Sequence, residues 1–129
     1  MDYVWLGNNK FPTLVAITEE EQQRGLQGTT WPPPVMTFPF ADSGIRKFWM
    51  NKTAVPLDLV FCRDNKIISI AQGRPFSLDF IGPDIPIDLV VELPLGLAKQ
   101  AGIKIGESVK IQYSIYTVAK QCQIALTKL

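Results

Sequence analysis

The sequence predicts an α+β domain that is mostly β, with an antiparallel, barrel-like or sandwich-like sheet and two short helices. Three observations carry this reading. Apolar residues alternate with period two in runs such as 57–61, 66–72 and 108–116, the pattern of half-buried strands. Turn-forming clusters, Gly7-Asn8-Asn9 and Arg63-Asp64-Asn65, join neighbouring runs at hairpin distance. Helix signals are confined to two short stretches.

In chain order, 3–6 reads as a short strand and 11–17 as its hairpin partner, with Pro12 favouring a sheet edge. Thr18-Glu19-Glu20-Glu21 forms a capping box, with Thr18 at the N-cap and an acidic first turn that suits the helix dipole. This first helix stops near Gly25 or Gly28. The TTWPPP of 29–34 is a stiff extended connector. In 35–40, Met36, Phe38 and Phe40 alternate on one strand face, and 41–45 is a turn. Phe48, Trp49 and Met50 are large, and Phe and Trp favour strands. Pro56 opens the next strand, where Leu57, Leu59 and Phe61 face one way and Asp58, Val60 and Cys62 the other. Trp49 and Phe61 are expected in the core beside Leu57, Leu59, Val91 and Leu93.

After the 63–65 turn, 66–72 is the return strand. Residues 73–85, GRPFSLDFIGPDI, are the longest irregular piece and a candidate contact loop. Its Phe76, Phe80 and Ile81 either pack down or meet a partner. Residues 87–93 form a strand with Asp88, Val90 and Glu92 on one face. A short helix over 97–101 ends at Gly102, and 108–116 is a strand. The tail, 117–129, is either a further strand or a terminal helix, its apolar spacing suiting both poorly.

The chain has 129 residues, enough for one domain spanning 1–129 with its own core. Its net charge of +1, without a basic block, argues against a nucleic-acid partner. No apolar run reaches membrane-spanning length, so no membrane insertion is expected. No signal peptide is visible in MDYVWLGNNK, so synthesis in the cytoplasm is expected and the final location stays open. The absence of His removes the commonest metal ligand and general base, and the two cysteines, Cys62 and Cys122, form no metal-binding or redox motif. No cofactor or metal is expected, and no catalytic residue stands out. Buried free thiols are the plainer reading of the cysteines.

Two acids interrupt apolar strands, Asp58 and Glu92. A buried carboxylate needs donors or a cation. Asp58 either accepts from backbone N–H groups and pins a turn, or faces an aromatic-walled pocket. Arg24 is either a helix C-terminal cap or a grip on a carboxylate from another element. If the two acids converge, Arg24, Lys52 or Arg74 should lie within salt-bridge reach. The candidate ligand-binding set is Arg24, Trp49, Met50, Lys52, Asp58 and Glu92.

The run F-W-M-N-K-T-x-x-P-L-D-L-V-F of 48–61 resembles the core motif of the DUF192 family, small β-rich domains without an established biochemical function. The family pattern is FWMKNT followed by PLD, so Asn51 and Lys52 stand in swapped order. Ala16, Thr18, Glu21, Arg24, Gly25 and Leu26 match a second motif, with Gln27 replacing its Met. Met36, Phe38 and Phe40 match a third, from which Val35 and Thr37 depart. Pro75 and Ser77, then Val91, Glu92, Leu93, Gly96, Gly102, Ile103 and Gly106, match further positions, with Glu107 replacing an Asp. The resemblance spans about 13–112 and implies a β-rich fold; it leaves 113–129 as a C-terminal extension.

Three functions fit these residues. The first is a non-enzymatic binding or protein-interaction module, with a protein partner or self-association expected and a small ligand open. In this class falls a subunit of a larger assembly, such as a virion or cell-surface particle. The second is a carboxylate-based hydrolase of a small or glycan substrate, using Asp58 and Glu92. The third is a structural domain whose family site has degenerated, to which Gln27, Val35 and Thr37 point.

Overall fold

The structure, a computed structural model, describes residues 1–128. Ten elements follow one another: β1 (Asp2–Leu6), β2 (Asn9–Val15), α1 (Glu19–Arg24), β3 (Met36–Gly44), β4 (Leu57–Arg63), β5 (Lys66–Gly73), β6 (Ile87–Pro94), α2 (Leu97–Gln100), β7 (Val109–Gln112) and α3 (Ile115–Thr127). The strands form one sheet in the order β5-β4-β6-β3-β2-β1-β7, curled into a half-barrel. Its ends approach each other where 106–109 runs beside the start of β5: Val109 N–H donates to the Asn65 carbonyl at 2.8 Å and Ile67 N–H to the Glu107 carbonyl at 2.9 Å.

The predicted hairpins form. β1 and β2 pair antiparallel around Gly7-Asn8, and β4 and β5 around Asp64 and Asn65, both at positive φ, as a primed two-residue turn requires. The fully antiparallel expectation fails at one place. β2 and β3 run parallel, Leu14 opposite Met36 and Val15 opposite Thr37. The physical reason lies between them: α1 and the proline connector are long enough to carry the chain back to the same end of the sheet, the connection a parallel pair needs. Pro12 sits in an interior strand, yet only β1 pairs with it, because β3 reaches no further along β2 than Leu14.

The sheet has apolar side chains on both faces. Val4, Leu6, Val60, Cys62, Ile67, Val91 and Leu93 form one core cluster. Phe38, Met50, Leu57, Leu59, Phe61 and Val90 form the other, on the opposite face. β4 feeds both by strict alternation. β5 does so through a bulge: Phe61 opposes Ser69 and Cys62 opposes Ile67, so Ile68 is extra. The shift lets Ile67 and Ile70 reach the first cluster and Ile68 and Ala71 the second, which simple alternation along 66–72 does not allow.

Two further expectations change. Trp49 is 48% exposed, not buried. The 46–53 segment is an irregular ribbon beside the 76–82 loop, joined by the Phe48–Ile81 bridge and by Met50 N–H donating to the Ser77 carbonyl at 2.9 Å. Phe48 and Met50 take the inward positions, and Trp49 between them points out. The neighbours expected of Trp49 also divide, since Leu57 and Leu59 belong to one face and Val91 and Leu93 to the other. Phe61 is fully buried, as expected. Within the tail, Ile115–Thr127 is a third helix, started by Ser114, whose side chain accepts from Thr117 N–H. Cys62 is buried and Cys122 exposed; both are free thiols.

Candidate functional site

A cleft of about 310 Å³ opens between α1 and the second core cluster. The capping box sets its upper wall. Thr18 accepts from Glu21 N–H, and Glu21 accepts from the Thr18 and Ile17 N–H groups, so α1 starts at Glu19. Gln22 ties the helix to the sheet by donating to the carbonyls of Ala16 and Pro39, each at 3.0 Å. The helix then stops at Gly25, whose φ of 50° and ψ of −129° suit glycine. A Cβ there would lie 3.6 Å from Phe38 Cζ and 3.9 Å from Glu92 Oε1. Gly25 therefore closes over both groups.

The other wall is aromatic. Phe48 meets Phe38, Phe61 and Phe40 edge to face, with centroids 5.1, 6.1 and 6.5 Å away. Trp49 adds an exposed ring that stacks on Phe80, centroids 6.1 Å apart. Met50 is fully buried yet reaches the cleft lining. At the rim stand Arg24, Arg46 and Lys47. Arg46 lies 4.1 Å from the Phe40 ring centroid, donates to the Ile87 carbonyl at 2.9 Å and pairs with Asp42. Lys47 pairs with Asp84 and Arg24 with Glu20.

Glu92 comes from β6 into this cleft. It is 4% exposed. No Lys or Arg among the described residues lies within salt-bridge distance of it. Burial among aromatic and aliphatic side chains pushes its carboxyl up to about 8. At neutral pH Glu92 is thus mostly a neutral acid beside a cleft that holds aromatic faces and peripheral cations.

The expected cluster is divided by the sheet. Glu92 stands opposite Leu59, and Asp58 opposite Leu93. Directly paired residues share a face, so Glu92 belongs to the Leu59–Phe61 side and Asp58 to the Leu93–Val60 side. The two carboxylates are thus on opposite faces of the sheet. Asp58 accepts from Gly96 N–H and Ala98 N–H, both at 3.0 Å. It caps α2, whose own N-cap residue, Gly96, has no side chain to do so. Among the described residues, Arg24 grips no carboxylate from another element: its partner is Glu20, one turn back on α1 and on the surface. Lys52 is exposed in the left-handed turn region, φ 54°, and Asn51 and Thr53, not Lys52, line the cleft. Of the candidate set, Arg24, Trp49, Met50 and Glu92 line the cleft, and Asp58 and Lys52 do not. Arg46, Lys47, Gln22 and Phe48 were not singled out as site residues. Only the RK pair before the FWM run hinted at two of them, and nothing local showed that it would meet α1. Among the described residues, no group of three or more acid or thiol side chains is placed to hold a metal ion.

The fold is found in solved structures. A protein of unknown function from Novosphingobium aromaticivorans DSM 12444 aligns with a TM-score of 0.75 at 30% identity, over 84% of this chain and 82% of that one. A candidate transcription regulator from Sinorhizobium meliloti 1021 aligns with a TM-score of 0.75 at 24% identity, over 84% of this chain and 90% of that one, which is a likeness of fold. No curated protein matches the chain. The profile of the DUF192 family, described as an uncharacterized ACR, matches residues 4–111, from β1 into β7 and through every motif that forms the cleft; the chain belongs to the DUF192 family.

Proposed function

We propose that the chain is a non-enzymatic binding module whose cleft takes a small ligand against Glu92. One observation carries the reading. A carboxyl group that is almost wholly buried, without a cation among the described residues in salt-bridge reach, lines an aromatic-walled cleft. A purely structural acid is normally satisfied from within, as Asp58 is; Glu92 is left for something that enters. Concave apolar sites with a few convergent polar groups are the usual form of small-ligand pockets. The test is a ligand screen followed by calorimetry on the wild type, Glu92→Gln and Trp49→Ala. A compound held by the wild type and lost or weakened in both variants supports the reading. Compounds that bind all three proteins alike would sink it.

A second reading, contact with a protein partner or a second copy, is favoured by a separate surface. Phe76, Leu78 and Phe80 of the 76–82 loop are each more than half exposed, beside Trp49. α3 leaves Ile115, Val118, Cys122 and Leu126 exposed as well. Such surface is costly to leave in water. Light scattering on the full chain and on Phe80→Ser tests it: a mass above the monomer that falls in the variant supports association, and an unchanged monomer counts against self-association. A subunit role in a larger particle is the extension of this reading.

A further inference from the structure

The charges of the cleft are ordered by depth, and that order says what kind of ligand fits. The buried acid Glu92 stands at the inner end, and Arg24, Arg46 and Lys47 stand at the rim with the aromatic wall between. We infer that the cleft takes a small zwitterion, its ammonium end on Glu92 and its anionic end at the Arg24–Arg46–Lys47 rim. The inference rests on the cleft being a ligand site.

Each simpler ligand leaves a mismatch. A plain cation would meet Glu92 but pass three rim cations of its own sign. A plain anion would suit the rim and tolerate Glu92 as the neutral acid it mostly is at neutral pH, but would leave the buried carboxyl without the cation its ionised form needs. A zwitterion answers both ends, and the faces of Phe38, Phe48 and Trp49 suit an organic ammonium group and its carbon stem. The rim cations are available to such a ligand. Their present partners Glu20, Asp42 and Asp84 are largely exposed, and exposed ion pairs hold weakly. Arg46 is also positioned in advance by the Ile87 carbonyl and the Phe40 ring. The charged groups that share the cleft with Glu92 are Glu19 and Arg24 from α1 and Arg46 and Lys47 from the segment before Phe48.

An ammonium group on Glu92 stabilises its carboxylate, so binding expels the proton that burial retains. Affinity should therefore rise by up to about tenfold per pH unit as pH approaches 8 and level off above it. Three probes of one carbon frame separate the possibilities: L-phenylalanine, 2-phenylethylamine and 3-phenylpropanoate. Binding is read by calorimetry in buffers of different ionisation enthalpy, and its place by amide shifts of Gly25 and the Trp49 indole. The expected order is phenylalanine first, phenylethylamine weaker and phenylpropanoate weakest, with proton release for the first two. Glu92→Gln should cost phenylalanine about tenfold or more. Arg24→Ala, at a mostly exposed position whose ion pair is with the surface Glu20, should weaken phenylalanine and spare phenylethylamine. If phenylpropanoate binds best and weakens as pH rises through 8, or if Glu92→Gln binds phenylalanine as the wild type does, the zwitterion inference is overturned and the cleft reading stands. If no probe shifts the Gly25 or Trp49 resonances, both fall.

Discussion

At the scale of single residues, Glu92 and Asp58 show how one residue class takes opposite roles on two faces of a strand pair. Glu92 has burial without a hydrogen-bond donor among the described residues, and its carboxyl is pushed from 4.5 up to about 8. Between those values the folded protein keeps a proton that the unfolded chain has released. Stability then falls as pH rises through that window and levels off above 8. Urea melts at a series of pH values should show the wild-type midpoint dropping from about pH 5 to 8, and Glu92→Gln, which keeps the shape but cannot ionise, losing that slope. A slope of equal size in the variant would assign the effect elsewhere. Asp58 has burial with two backbone donors. Asp58→Ala orphans both N–H groups at the start of α2 and should cost about 3 kcal/mol, while leaving probe affinity at the cleft unchanged. A variant as stable as the wild type would remove the capping role.

At the scale of elements, the connections decide more than the strands do. α1 has no buried residue of its own; it holds its place through the capping box and the two Gln22 bonds. Glu21 also pairs with Lys120 of α3 at 2.7 Å. Burial raises the Glu21 carboxyl, but Lys120 and the Thr18 and Ile17 N–H groups outweigh it and hold it at about 2. α3 is otherwise fastened at its start, where Asp2 accepts from Ser114 N–H at 2.7 Å and from the Thr117 hydroxyl at 2.8 Å. Thr117 is its one buried residue among those described. Deleting 115–129 should therefore leave a cooperative melting transition and cost about 1–2 kcal/mol, the worth of a surface ion pair and a few partly exposed hydrogen bonds. Loss of cooperative folding would mean that α3 completes the core.

At the scale of the whole molecule, the curled sheet buries apolar side chains on both faces, and the two thiols report on it. Cys62 lies in the first core cluster with its thiol pushed up to about 12, by burial and then by the nearby Asp88 carboxylate. Cys122 is exposed on α3. A thiol reagent should label Cys122 at once and Cys62 only as fast as the sheet opens, because the reactive thiolate is scarce and shielded. Stabilising the protein should slow the second event and not the first. Equal rates at both cysteines would show that the first cluster opens locally.

Much of this was fixed by local chemistry that the sequence displays. The Thr18–Glu21 capping box, the Asp64-Asn65 hairpin, the two faces of 57–62 and the family motifs each depend on residues a few positions apart, so their outcome could be read before any fold was known. Of the site, the sequence marked Glu92 and Trp49 as unusual without saying why. Only the tertiary structure decided the rest. Which face an acid occupies depends on strand register, and register put Asp58 beside Leu93 and Glu92 beside Leu59. Whether Trp49 is buried depends on which neighbours fill the inward positions, and Phe48 and Met50 took them. The rim of Arg46 and Lys47 exists because a parallel β2–β3 pair, made possible by the α1 crossover, brings residues 19–27 against residues 46–51. Such contacts between distant segments are set by how the whole sheet curls, and no local pattern encodes them.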